Sequence, residues 1–356
     1  MHHDNIYANL KKGDKITIID PLEAGAVPDV AVTKAAAEKA GWTVAYDSGK
    51  NTYTFTATYE GKRLAAPVIS WKPIYDKGFY DNTYKVLVNK YEVYSNTVTT
   101  KTPKPPKPVK AVLDRSGKDI NGATTFDRNV TFRLMTDYSP YTKTLASAQA
   151  LGKKFAILDD VQDGAFSVYQ GNIKMTAAGK DVKSLFDMHH VLSDKGRTDA
   201  INKILKELNL QPRGEFYLWV AKDSKSFYQN YVKQNKNVTI DLPAKLLVKA
   251  GEKVKNDFKQ IDFGNSYQSN LVTVEVPNVK PEKHVLDRTG KKVLDGKEVQ
   301  LGDFVQYLLD GVTVPEKHDT LYQYDGLDKL DTKHDRYTGN WKGIIKGTEY
   351  TAEKEL

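Results

Sequence analysis

Two proline-rich joints limit how this chain can fold: TKTPKPPKPVK at 100–110 and VPNVKPEK at 276–283. Proline holds φ near one value and has no N–H to donate, so neither stretch suits a helix or a central strand. Nearly the same phrase follows each joint, VKAVLDRSGKDING after the first and EKHVLDRTGKKVLDG after the second, which sets Lys110 against Lys283. The segments before the joints match as well. KYEVYSNTVTT (90–100) parallels NSYQSNLVTV (265–274), setting Asn96 against Asn270, and VAYDS (44–48) parallels VAKDS (220–224). Two helix candidates, AVTKAAAEKAG (31–41) and DAINKILKELN (199–209), keep the same order. These landmarks share nearly one spacing and define a tandem repeat of about 173 residues. On that arithmetic, 106–279 is a complete domain. Residues 1–100 read as the C-terminal part of a first domain, and 281–356 as the N-terminal part of a third. The alternative is that the outer units are shorter.

Inside the units the dominant period is two. TYTFTATYEG, NVTFRLMTDY, FAILDDV, EFYLWVA, NVTIDLP, NLVTVEV and KEVQLGDFVQYLL all read as strands. One helix of the middle unit is strongly amphipathic, with Asp199 or Thr198 as its cap and Ile201, Ile204, Leu205 and Leu208 on one stripe. The first unit's helix has Asp29 before it and Gly41 at its end. Many short strands with one short inserted helix per unit predict an all-β chain of tandem β-sandwiches.

Composition excludes several classes. With no cysteine among 356 residues, neither disulfides nor thiolate metal sites are available. The 40% hydrophobic and 28% charged content excludes wholesale disorder. No apolar run approaches the roughly 18 residues of a bilayer span, so no membrane insertion is expected in this segment. The opening MHHDNIY lacks the charged-then-apolar order of a signal peptide. The net charge of +8 is spread thinly, and its densest cluster is the first proline joint, so nucleic acid is not an expected partner. Tyrosine, at 21 residues, suits strands and binding surfaces.

Three polar residues share parity with apolar neighbours: Asn270 with Val272, Val274 and Val276; Lys110 with Val112; Asp159 with Phe155 and Ile157. Side chains alternate across a strand, so each can point inward. A lone buried charge costs several kcal/mol, which suggests that the three meet. Burial would make the lysine neutral and nucleophilic and keep the acid protonated, able to polarise the asparagine for attack. The product would be a Lys110–Asn270 isopeptide bond, with ammonia released and Asp159 as promoter. Parity alone leaves a second reading open, in which Lys110 snorkels, Asn270 ends a strand and Asp159 sits in a turn. The outer units keep the matching members: Asn96 in the first, Lys283 and Asp328 in the third.

The segments PRGEFYLWVAKDSKSFYQNYV, IDFGNSYQSNLVTVEVPNV and KHDTLYQYDGLDKLDTKHDRYTG resemble the C-terminal stalk domains of streptococcal antigen I/II-type surface adhesins. Enterococcal aggregation substances are similar. The resemblance covers most of 106–356. It implies variant immunoglobulin-like domains carrying Lys–Asn isopeptide bonds promoted by an aspartate. It maps the lysine to Lys110 and Lys283, the aspartate to Asp159 and Asp328, and the asparagine to Asn270 and Asn96. The third unit departs from the family by reading LDKLD where paired aspartates are usual, with the first aspartate kept.

Other candidates carry less. His189 and His190 are adjacent on an expected loop, where neighbouring side chains diverge and a metal site is poorly served. Asp159 and Asp160 would face opposite ways, unlike a glycosidase pair. Asp325, Asp331 and Asp335 with Asp328 form an acidic loop, a candidate for structural calcium that the resemblance permits and a solvated loop otherwise. No other cofactor is implied. The expected function is therefore a monomeric, extracellular stalk segment of a cell-wall-anchored Gram-positive adhesin. Its partner would be a host or bacterial surface glycoprotein or polysaccharide, and its only chemistry self-crosslinking. The alternative is an accessory or carbohydrate-binding β-sandwich region of a secreted glycan-processing enzyme.

Overall fold

The computed structural model describes residues 10–88 and 90–351; the opening MHHDNIY lies outside them. Between the two joints the chain forms two packed layers. One is a five-stranded antiparallel sheet in the order Phe186–Val191, Phe216–Ala221, Ala156–Asp160, Lys259–Asp262, Asn265–Gln268. The other runs Val109–Leu113, Asn129–Met135, Val238–Leu246, Lys174–Ala177, Lys180–Asp181. A small sheet of Ala123–Thr124, Val272–Glu275 and Lys253–Asn256 completes the unit.

Alternation places the core between the layers. In NVTFRLM, Val130, Phe132 and Leu134 turn inward, and they meet Phe155, Ile157, Tyr217 and Trp219 from the facing sheet. The strand Phe216–Ala221 is buried along its whole length because its second face is covered too. There Phe216, Leu218 and Val220, with Ala156 and Leu158, receive Ile201, Leu205 and Leu208 at the helix Asp199–Glu207. That double cover is why FYLWVA is continuously apolar rather than alternating. Thr198 caps the helix, its side chain accepting from the Ile201 N–H.

The first unit repeats one layer strand for strand: Thr43–Asp47, Thr52–Thr58, Lys15–Pro21, Lys85–Val88, Tyr91–Tyr94. Its helix, Val30–Lys39, is capped by Asp29 and packs through Thr33 and Ala37. A separate core forms around Ile16, Trp42, Tyr53, Phe55 and Val86. In the third unit Glu282–Leu286 pairs with Gln306–Asp310, and Lys342–Ile345 with Thr348–Thr351.

Each apolar core draws its residues from one side of a joint. The middle and third units meet instead through polar groups that no period announced. The Thr124 N–H donates to the Lys317 carbonyl and the Asp319 N–H to the Thr124 carbonyl, both at 3.0 Å. The buried Asp319 carboxylate accepts from Thr125 Oγ1 at 3.1 Å and from the Phe126 and Asp127 N–H groups at 3.0 Å. In return Asp114 Oδ2 accepts from the Thr320 N–H at 2.9 Å and its hydroxyl at 2.7 Å. Burial alone would raise the Asp114 carboxyl, but hydrogen bonds from Ser116, Thr320 and Lys118 outweigh it and hold the group well below the usual carboxylate range.

Candidate functional site

Lys110 and Asp159 meet in the middle of the sandwich. Strand Val109–Leu113 turns Lys110 inward beside Val112, and Ala156–Asp160 turns Asp159 inward beside Ile157. Lys110 Nζ lies 2.7 Å from Asp159 Oδ2, and both side chains are fully shielded from water. The amine also donates to the Asp257 carbonyl at 3.0 Å and sits 5.6 Å from the Phe132 ring centroid. Burial pushes the lysine down, with Asp159 opposing; burial pushes the aspartate up, with Lys110 opposing. Each group is driven toward its neutral form, which for the amine means a free lone pair.

Asn270 is not the third member of this cluster. It is exposed, and its carboxamide grips the lysine's main chain: Oδ1 accepts from the Lys110 N–H and Nδ2 donates to the Lys110 carbonyl, both at 2.8 Å. Strand pairing starts only at Val272, opposite Asn256, so the inward parity of Val272 and Val274 does not reach back to Asn270. Asn96 is likewise exposed.

The asparagine that faces the pair is Asn256, which the sequence reading passed over. In Lys253–Asn256, Val254 and Asn256 turn inward, and Asn256 Nδ2 lies 3.4 Å from Asp159 Oδ2. Asp159 Oδ1 and Asn256 Oδ1 are both buried without a hydrogen-bond donor. Orphaned acceptors are costly, and a proton on Asp159 supplies the missing donor. A signal for Asn256 existed in the repeat, where DNTYK and KNDFK set Asn82 and Lys85 against Asn256 and Lys259.

In the third unit Lys283 and Asp328 also meet, at 2.8 Å, but at the surface rather than in a core. Asp325, Asp331 and Asp335 do not converge: they are bonded to Gln323, His334 and the Tyr307 hydroxyl, respectively. Among the described residues no three of His, Asp and Glu are gathered to hold a metal ion. His189 and His190 lie on the strand Phe186–Val191 rather than on a loop. The His190 ring is 2.7 Å from Glu215 Oε1 and stacks on Tyr217. Asp160 is exposed and accepts from the Arg213 N–H.

A further buried acid, Asp262, is pushed up to about 7 by desolvation, against hydrogen bonds from Gln260 and Tyr141. A carboxyl raised on folding stabilises the fold below its ordinary value and loses that contribution as pH climbs through its folded value. Stability should therefore decline between about pH 4 and about 7 on this account, and Asp262→Asn should flatten the decline. Thermal melts across that range check it; parallel curves for parent and variant would refute the assignment.

Two family models match the chain. Residues 108–276 match the family described as "Cell surface antigen I/II C2 terminal domain", and residues 280–352 that described as "Cell surface antigen C-terminus". The chain belongs to the antigen I/II family. Among solved structures, the C-terminal domain of the Streptococcus pyogenes antigen I/II-family protein AspA is 32% identical, with a TM-score of 0.53, over 60% of this chain and 65% of that one. The C-terminal domain of the Streptococcus agalactiae antigen I/II polypeptide BspA is 33% identical, with a TM-score of 0.50, over 60% and 63%. An aggregation substance of Enterococcus faecalis is 27% identical over 281 residues, 78% of this chain and 20% of that protein. The chain thus spans a fifth of that curated relative. Membership in antigen I/II gives immunoglobulin-like β-sandwich domains of surface adhesins, an extracellular surface location, and a family of antigens rather than enzymes. Among the described residues no helix is long and apolar enough to cross a membrane.

Proposed function

We propose that this chain is a stalk segment of a cell-wall-anchored adhesin, built of three successive units at 1–100, 106–279 and 281–356. Its middle unit would be locked by an isopeptide bond from Lys110 to Asn256. The observation that carries this reading is a fully buried lysine and aspartate 2.7 Å apart with a buried asparagine against the same carboxylate. In the reaction, the neutral Lys110 amine attacks the Asn256 carboxamide carbon. Asp159 lends its proton to the carboxamide and takes one back from the lysine nitrogen. The new C–N bond forms as the old one breaks, and the amide nitrogen leaves as ammonia. The stalk would hold a distal adhesive region away from the cell, as a monomer, toward a host or bacterial surface glycoprotein or polysaccharide.

Intact mass tests the bond. The parent should fall short of its sequence mass by one ammonia, and Lys110→Ala, Asp159→Ala and Asn256→Ala should each restore it. Asn270→Ala should not, because that side chain holds only the main chain of Lys110. A parent at full mass refutes the bond. Restoration by Asn270→Ala with the loss kept in Asn256→Ala would return the crosslink to Asn270.

A further inference from the structure

The lysine strand Val109–Leu113 lies at the edge of its sheet, paired with Asn129–Met135. That pairing fixes Lys110 within its own layer. Asp159 belongs to the facing sheet and Asn256 to the small third one, outside the ladder that holds the lysine. A lysine side chain is long and flexible, and attack on a carboxamide carbon needs the amine held close and aligned.

On its open side the lysine strand is held by one side chain. Asn270 Oδ1 accepts from the Lys110 N–H and Nδ2 donates to the Lys110 carbonyl, both at 2.8 Å, which is the pair of bonds a neighbouring strand residue would make. Asn270 is in turn anchored to the segment that carries the target amide. The Ser269 N–H donates to the Phe258 carbonyl, Ser269 Oγ accepts from the Phe258 N–H, and the same hydroxyl donates to the Asn270 carbonyl, all at 2.9 Å. Phe258 lies two residues after Asn256 and directly follows Asp257, whose carbonyl takes Lys110 Nζ at 3.0 Å. The lysine main chain, Asn270, Ser269, Phe258 and the lysine amine thus close one ring. The same group recurs in the first unit. Asn82 Nδ2 donates to the buried Asp20 carboxylate at 2.7 Å, and two residues on, the Tyr84 N–H donates to Ser95 Oγ, which donates to the Asn96 carbonyl. An amide against a buried acid and a Ser–Asn turn therefore occur together twice.

We propose that Asn270 is a positioning residue for the crosslink: its carboxamide fixes the lysine main chain so that the Lys110 amine reaches the Asn256 carboxamide carbon, and so sets the rate of bond formation without entering the bond. The inference rests on the Lys110–Asn256 bond proposed above. Water can replace the carboxamide at each main-chain group of Lys110, so the strand stays folded without it, but water does not tie that strand to Phe258. The amine then spends more of its time out of reach of Asn256, and attack slows. Asn270 bonds the main chain of Lys110 rather than its amine, so the product is unchanged.

The test is to make the full chain by cell-free synthesis, stop synthesis, and follow the loss of one ammonia by intact mass in quenched aliquots. Asn270→Ala should lose ammonia on the order of tenfold more slowly than the parent and reach the same final mass. Asn270→Gln keeps the carboxamide and should recover most of the rate. Thr198→Ala removes the helix cap on the far face of the facing sheet, at a comparable cost in stability, and should react at the parent's rate. Asn270→Ala reacting as fast as the parent, or Thr198→Ala slowed equally, overturns the positioning role and spares the bond. A parent that keeps its full mass overturns both. Ammonia loss kept in Asn256→Ala, with Asn270→Ala at full mass, overturns the role as well, since Asn270 would then be the crosslinked amide.

Discussion

Asn256→Ala should lower the stability of the middle domain by on the order of 5 kcal/mol, because the proposed Lys110–Asn256 bond would close a loop of about 150 residues and remove that much conformational freedom from the unfolded chain. The estimate takes an isopeptide link to restrict the chain as a disulfide does. Asn256→Ala is the cleaner probe, since it leaves the Lys110–Asp159 pair in place. Asp159→Ala should show the same loss plus the cost of a buried amine left with the Asp257 carbonyl as its remaining hydrogen-bond acceptor. The parent should outlast both variants under trypsin at raised temperature while sharing their fold. Under force applied at the ends of the unit, the bond would bypass the chain between Lys110 and Asn256 and leave only the last strands extensible. Equal melting and equal protease lifetimes would count against a mechanical role, even with the ammonia loss observed.

Asp319→Ala should uncouple the middle and third units. The carboxylate is buried at the joint and accepts from Thr125, Phe126 and Asp127. Removing it leaves two main-chain N–H groups without their acceptor, while the Thr125 hydroxyl keeps the Asp127 carbonyl at 2.7 Å, a loss on the order of 3 kcal/mol in the coupling. Two separate unfolding transitions should replace a shared one, and amide exchange at Phe126 and Asp127 should quicken. The middle unit's own ammonia loss should persist, since Lys110, Asp159 and Asn256 all lie before the second joint. Unchanged exchange at those amides would show that the joint is held by Asp114 and Thr320 instead.

Most of the strands, the helices Val30–Lys39 and Asp199–Glu207 with their caps and the all-β class were legible in the sequence, because period-two alternation and capping residues act locally; the strand that carries His189 and His190 was not, and of KEVQLGDFVQYLL only the stretch from Gln306 is paired. The meeting of Lys110 with Asp159 was legible for a related reason: a charged residue on an apolar face is too costly to stand alone, so two of them in one unit imply contact. The choice between Asn270 and Asn256 was not. Both share parity with apolar neighbours, and parity states which residues lie on one face without stating where a strand begins. Only the pairing of Val272 with Asn256 places one amide in the core and the other on the lysine's main chain. Asp20 and Asn82 were hidden similarly, since they are 62 residues apart and only sheet register brings them together. Asp319 sits in EKHDTLY, a polar stretch without periodicity, and its burial is decided by the donors of another unit. Local rules select strands and helices; which polar atoms meet depends on registers and docking set by the whole chain, where each buried donor must find an acceptor.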